Sequence, residues 1–141
     1  MILAIDPGTT KSAYVVFDRN DRRILEKGII DNNLIVEMVA AVDGMDIYIE
    51  MIASYGMAVG KETFETCVWI GRFIQEAVNK GIYHALVYRK DVKMHLCGSV
   101  RAKDANIRQA LIDLLGKDKT KGVAKDMWAA LGVAVTVAGI N

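Results

Sequence analysis

LAIDPGTTKSAYVVFD, residues 3–18, decides how the chain is read. An apolar run ends on Asp6, a Pro-Gly-Thr-Thr turn follows at once, and a second apolar run begins behind it. β-Branched and aromatic residues on both sides of a Pro-Gly turn predict two strands, the first ending in an acid. Such a turn serves either of two chemistries. Its amides can cradle a nucleotide phosphate, or Asp6 can hold a metal ion against a nucleic-acid phosphate. The rest of the chain must choose.

The 141 residues are 52% hydrophobic and 25% charged, which predicts a single globular domain over 1–141 with a substantial core. No apolar run approaches the roughly 18 residues a membrane span needs, so no membrane partner is expected. The N-terminus has no basic segment leading an apolar one, which argues against a signal peptide. Cys67 and Cys97 are the only cysteines and lack metal-type spacing, which predicts a reduced, intracellular protein. The net charge is only +1, but it is unevenly spread. Residues 80–125 carry eleven Lys and Arg against four Asp, a net of +7, while the remainder carries seven basic against thirteen acidic residues, a net of −6. A local basic excess of that size attracts polyanions, of which nucleic acid is the usual one; the plain alternative is a solvated helical face.

Further elements follow from periodicity. Residues 11–18 and 22–30 read as two strands joined at DRND in a hairpin. A short helix starts near Asn32, with Asp31 or Asn32 as its cap. MDIYIEMI, 45–52, is almost wholly apolar, as in a strand covered on both faces. Phe64, Cys67, Val68, Gly71, Ile74 and Val78 follow helical spacing, YHALVYR (83–89) is another strand, and apolar stripes predict helices from about Asp104 and over 127–138. A meander followed by alternating helices and strands predicts a mixed α/β sheet.

Three carboxylates lie where such a sheet can gather them. Asp6 ends the first strand, Glu50 is embedded in an apolar strand, and Asp126 opens the last helix. Each has an ordinary explanation: Asp6 shapes the turn, Glu50 meets a buried Arg, and Asp126 caps its helix. Together they suggest a shared cation, because like charges converge only when something neutralises them. Oxygen ligands favour Mg²⁺, with Mn²⁺ as the alternative.

LAIDPGTTKSAYVVFD, IYIEMIASYGM, SVRAKDANIRQALIDLLG and KDMWAALGVAV resemble the RuvC-type Holliday junction resolvases, most of all their phage-encoded branch. The likeness covers nearly the whole chain and keeps the order of acids: strand one, strand four, last helix. It implies a ribonuclease H-like fold, a mixed five-stranded sheet flanked by helices. It also implies a homodimer and Mg²⁺-dependent cutting of four-way junctions or other branched DNA, in the cytoplasm of a bacterium or a phage-infected host. Asp6, Glu50 and Asp126 match the catalytic, metal-binding acids. Two ions roughly 4 Å apart would then bridge the scissile phosphate, one generating hydroxide and the other stabilising the leaving oxygen.

One departure stands out. Cellular resolvases usually present two Asp residues spaced i, i+3 on the last helix, whereas here the pair is Asp126 and Ala129. Asp104 either completes the metal shell or caps its own helix. Lys125, Lys103 and Arg101 are candidates to neutralise transition-state charge and, with Lys61 and Tyr55, to contact DNA. Tyr55 and Met57, in a Gly-containing loop, either wedge into an opened junction or fold back on the core. His84 and His95 have no companion ligand; either assists catalysis or, as the plainer reading, serves a structural role. The helix over 64–78, with Trp69 and Phe73, is the expected dimer surface, and Arg72 is placed to reach a partner's carboxylate.

A DxGTT turn also resembles those of actin-like and sugar-kinase ATPases. Those proteins close two domains around the nucleotide, and no second Gly-rich phosphate motif occurs here, so Asp6 reads as a metal ligand. Two rivals remain from the sequence: a ribosomal-RNA-processing nuclease of the same fold, and a non-catalytic binder of branched DNA.

Overall fold

The structure, a computed structural model, describes residues 1–141. Five strands, β1 (Ile2–Asp6), β2 (Lys11–Asp18), β3 (Arg23–Asp31), β4 (Asp46–Met51) and β5 (His84–Tyr88), form one sheet in the order β3-β2-β1-β4-β5. β1, β2 and β3 make an antiparallel meander, while β4 runs parallel to β1 and β5 parallel to β4. The expected mixed five-stranded sheet is therefore present. β1 and β4 are central, which explains their nearly unbroken apolar sequences.

Alternate residues feed two cores. Ile2, Ala4, Ala13, Val15 and Phe17 face one side, against α3 (Arg89–Cys97), α4 (Asp104–Leu115) and α5 (Met127–Val137). Leu3, Ile5, Val16, Ile47 and Ile49 face the other, against α1 (Asn32–Ala41) and α2 (Lys61–Lys80). The period of two places the acids. Ile5 pairs with Ile49, so the register continues to Asp6 level with Glu50, both on the α3–α5 side.

α5 is apolar all round because it is enclosed: Ala130, Leu131, Val133, Ala134 and Val135 are all fully buried. It seats closely on α3, where a Cβ at Gly132 would stand 3.0 Å from Val92 Cγ1. α3 is the one element the periodicity does not predict. Most of its nine residues are charged or polar and only Val92 is buried, so no apolar stripe marks it. Asp31 stands at the N-cap of α1 but makes no side-chain cap hydrogen bond; Asn32 is directed elsewhere, as described below.

On α2 the expected dimer surface needs correction. Phe73 is completely buried and Trp69 packs against the second core, while Arg72 stacks on the Trp69 ring of its own helix, 4.3 Å from its centroid. The apolar residues that α2 exposes are Phe64, Val68 and Val78. With exposed Gly71 and Gln75 they form a row at alternating steps of four and three.

Candidate carboxylate centre

The turn after β1 is fixed from beneath. Asn32 Nδ2 donates to the Gly8 carbonyl at 2.9 Å, Ser12 Oγ donates to Asn32 Oδ1, and the Gly8 amide donates to Ser12 Oγ at 3.2 Å. Ser12 and Asn32 are both 1% exposed, so a buried polar network with its main groups paired holds the turn in one shape. Gly8 is required there for space: an added Cβ would lie 2.2 Å from the Lys11 carbonyl oxygen. Asp6 is thus set at the rim of the sheet by a turn that has little room to move.

Asp6 feels Glu50, Asp126 and Asp104. Burial first, then the charges of Glu50 and Asp126, raise its pKa from 3.8 to about 8, against the opposing attraction of Arg89. Glu50 is also raised, mainly by burial, with Arg89 acting in the opposite direction. Asp126 sits just before α5 and makes no capping hydrogen bond; the preceding Lys125 takes a left-handed conformation at φ 51°. That conformation costs a non-glycine residue on the order of 1–2 kcal/mol, and it occurs at the edge of the carboxylate centre. Asp104 is the first residue of α4, not its cap. Lys103 occupies the cap position, and its amide donates to Asn106 Oδ1 at 2.9 Å.

Arg89, which opens α3 at the end of β5, is the Arg that the ordinary explanation of Glu50 expects, although the sequence does not single it out. Its Nε donates to Glu50 Oε1 at 2.9 Å and its Nη1 to Asp104 Oδ1 at 2.7 Å. The two bonds differ in weight. The Glu50 side chain is only 12% exposed and that of Asp104 is 81% exposed, so the first pair is poorly screened and the second largely screened. Burial disfavours the charge of Arg89, yet Glu50, Asp104 and Asp6 together hold it firmly protonated. A buried Glu in a strand requires a cation, and an Arg at the end of the neighbouring strand was the available sign.

A cleft of about 250 Å³ opens over these groups, lined by Glu50, Arg89, Asp104, Arg108, Lys125, Asp126, Trp128 and Ala129 among others. Ala129 is therefore at the centre, at the place where an acid was expected by resemblance. Arg108 lies 5.8 Å from the Trp128 ring centroid. A second, basic cleft is lined by Tyr55, Arg89, Lys90, Lys93 and Val100, so Arg89 borders both. Tyr55 and Met57 are 64% and 73% exposed, and their loop does not fold back on the core. Of the other expected DNA contacts, Lys125 lines the first cleft, whereas Lys61, Arg101 and Lys103 line neither. Lys61 pairs with Glu65 of its own helix at 3.5 Å. His84 and His95 hydrogen-bond through their rings to the carbonyls of Ile82 and Ile140, which are structural roles.

In donor chemistry carboxylate oxygens are of the kind that would suit a hard divalent ion. As the side chains stand, no three His, Cys, Asp or Glu side chains form a group able to hold a metal ion. The guanidinium of Arg89 engages two of the four acids.

Comparison with solved structures bears on the fold. The chain superposes on Thermus thermophilus RuvC with a TM-score of 0.76 at 16% identity, over 98% of this chain and 93% of that one. It has the RuvC fold. T. thermophilus RuvC in complex with a Holliday junction substrate matches with a TM-score of 0.74 at 16% identity, covering 96% and 90% of the two chains. A Fowlpox virus resolvase, solved with its Holliday junction DNA, gives 0.60 at 13% identity, covering 98% of each. No protein-family model and no curated relative matches the sequence. The ribonuclease H-like architecture expected from the RuvC resemblance is thus what the chain adopts.

Proposed function

We propose that the chain is a divalent-metal-dependent endonuclease that cuts branched DNA, four-way junctions foremost, acting as a homodimer in the cytoplasm of a bacterium or phage-infected cell. The observation that carries this reading is the convergence of Asp6, Glu50, Asp104 and Asp126, from four separate elements, beside a basic cleft. Four acids gathered at the rim of a sheet repel one another, and a purely structural site has no need of such repulsion. The RuvC fold and the junction-bound relatives of that fold support the choice of branched DNA.

Asp6, Glu50 and Asp126 are the proposed ligands, Asp6 being central because it feels the charge of all the others. A divalent ion, when bound, offsets charge on the scissile phosphate and acidifies an attacking water. Lys125 and Arg108, in the lining of the acidic cleft, are placed to stabilise charge that grows on the phosphate as the bond breaks. Lys90 and Lys93, in the second cleft, provide a path for the backbone, and exposed Tyr55 is suited to stack on an opened base. Arg101 and Lys103 are proposed to add phosphate contacts outside both clefts.

A two-fold dimer would present two such centres to a junction of matching symmetry. The exposed row Phe64, Val68, Gly71, Gln75 and Val78 on α2 is the proposed contact, because Gly71 has nothing within 4 Å of an added Cβ and would let a second helix approach closely. One observation favours a different reading. Ala129 lines the acidic cleft, and a centre short of one acid suits a protein that binds junctions without cutting them.

The test is incubation of purified protein with labelled four-way junction, linear duplex and structured RNA, with and without Mg²⁺. Mg²⁺-dependent cutting of the junction alone supports the proposal. Preferential cutting of RNA would favour the ribosomal-RNA-processing alternative, and tight junction binding without cutting under any metal would favour the non-catalytic binder.

A further inference from the structure

Arg89 forms the only ion pairs within the carboxylate centre: to Glu50 at 2.9 Å and to Asp104 at 2.7 Å. Arg108 and Lys125 line the same cleft but pair with none of its acids. Glu50 is held in the interior of the sheet, where its charge cannot go uncompensated. Asp104 is almost fully solvated and has no such need. One guanidinium thus links an acid that requires a cation to an acid that does not. A planar guanidinium has five donors, enough to serve both at once; a lysine has a single ammonium centre and no such fork.

We propose that Arg89 is a resident counter-ion which a divalent cation must displace from Glu50, and that Asp104 is the anchor that retains the displaced guanidinium and not a metal ligand. The inference rests on the metal-binding reading of the centre. Two positive groups cannot both sit against Glu50 without repelling each other, so a metal that takes Glu50 as ligand drives Arg89 outward. The more exposed of its two partners is Asp104, already bonded to Nη1, and Arg89 itself also lines the cleft of Tyr55, Lys90 and Lys93. The displaced cation then stands at the border where a DNA backbone would enter. In the metal-free protein the same arginine offsets part of the repulsion among the gathered acids.

The experiment is calorimetric titration of Mn²⁺ into wild-type protein, Arg89→Gln, Arg89→Lys, Asp104→Asn and the double variant Arg89→Gln/Asp104→Asn, all without DNA, with melting curves of each in EDTA. Competition predicts that Arg89→Gln binds Mn²⁺ about tenfold more tightly than wild type while melting at a lower temperature in EDTA. Arg89→Lys, which keeps the charge but loses the fork, serves if the Gln variant does not fold; it should bind with intermediate affinity. In the Arg89→Gln background, Asp104→Asn should change affinity by less than about threefold, since an anchor has nothing left to hold. Equal or weaker Mn²⁺ binding by both Arg89 variants, with wild type binding normally, overturns the competition while leaving the metal reading intact. A tenfold or larger loss on adding Asp104→Asn makes Asp104 a ligand and overturns its role as anchor. Absence of Mn²⁺ binding by every protein removes the metal reading and the competition with it.

Discussion

Asp6→Asn should stabilise the metal-free protein at neutral and alkaline pH, although it abolishes the proposed chemistry. Burial and the charges of Glu50 and Asp126 raise the Asp6 carboxyl from 3.8 to about 8. Between those two pH values the folded protein keeps a proton on Asp6 that the unfolded chain has lost. The folded state binds more protons, so stability falls as pH rises through that window and levels off above about 8. At about 1.4 kcal/mol per pH unit the full difference has an upper limit of about 6 kcal/mol. Water entry and movement of the surrounding charges reduce it, and a fall of about 2 kcal/mol or more between pH 5 and 9 is the working expectation. Asparagine resembles the protonated acid in size and carries no charge, so its stability should not follow that slope. Glu50 is raised as well and contributes a slope of the same sign, so Asp6→Asn should keep a shallower slope than wild type. The assay is urea unfolding in EDTA at pH 5, 7 and 9. A wild type as stable at pH 9 as at pH 5, or an Asp6→Asn protein less stable than wild type at pH 9, would refute the reasoning and make Asp6 an ordinary ionised turn residue.

Four other outcomes follow from the same geometry. Metal binding at pH 7 should release about one proton, from Asp6, and close to none at pH 9; titrations in buffers of different ionisation enthalpy measure this directly. Gly8→Ala, forced against the Lys11 carbonyl, should cost roughly 2 kcal/mol or more in urea unfolding and lower cleavage, because the turn that sets Asp6 must shift. Ala129→Asp places an acid one turn from Asp126 on the cleft wall; it should lower the melting temperature in EDTA and reduce the Mg²⁺ needed for half-maximal cleavage, and an unchanged Mg²⁺ requirement would place position 129 outside the shell. Arg101→Gln with Lys103→Gln should reduce the slope of log affinity against log salt by about two, one per lost phosphate contact, with an unchanged slope showing that these charges only solvate the surface.

The sheet was legible because its central strands are long apolar runs and its turns carry Pro, Gly, Asn and Asp. β1 to β5 all fall within two residues of their expected positions. The acids were legible for a related reason: a Glu in IYIEM is conspicuous against its neighbours. What the sequence does not reveal depends on contacts between distant residues. Arg89 is 39 residues from Glu50, and only the adjacency of β4 and β5 brings them together. α3 had no apolar stripe, since it rests on the core through Val92 and the notch at Gly132. Asn32 looked like a helix cap because caps and buried turn networks use the same side chain; its partner Ser12 is twenty residues away. On α2 periodicity identifies the helix but does not distinguish its two apolar faces, of which that of Phe73 is buried and that of Phe64 and Val68 is exposed.

Supercoiled plasmid carrying an extruded cruciform offers the most direct test of metal-dependent branched-DNA cutting by a paired carboxylate centre. Wild-type protein in Mg²⁺ should convert it to linear plasmid without accumulation of nicked circles, and should leave it intact in EDTA. Asp6→Asn, Glu50→Gln and Asp126→Asn should each bind the cruciform as tightly as wild type, or more tightly, and cut it hardly at all. Slow nicking alone by a protein that stays monomeric in light scattering, or near-normal linearisation by the Asp6→Asn variant, would contradict the account.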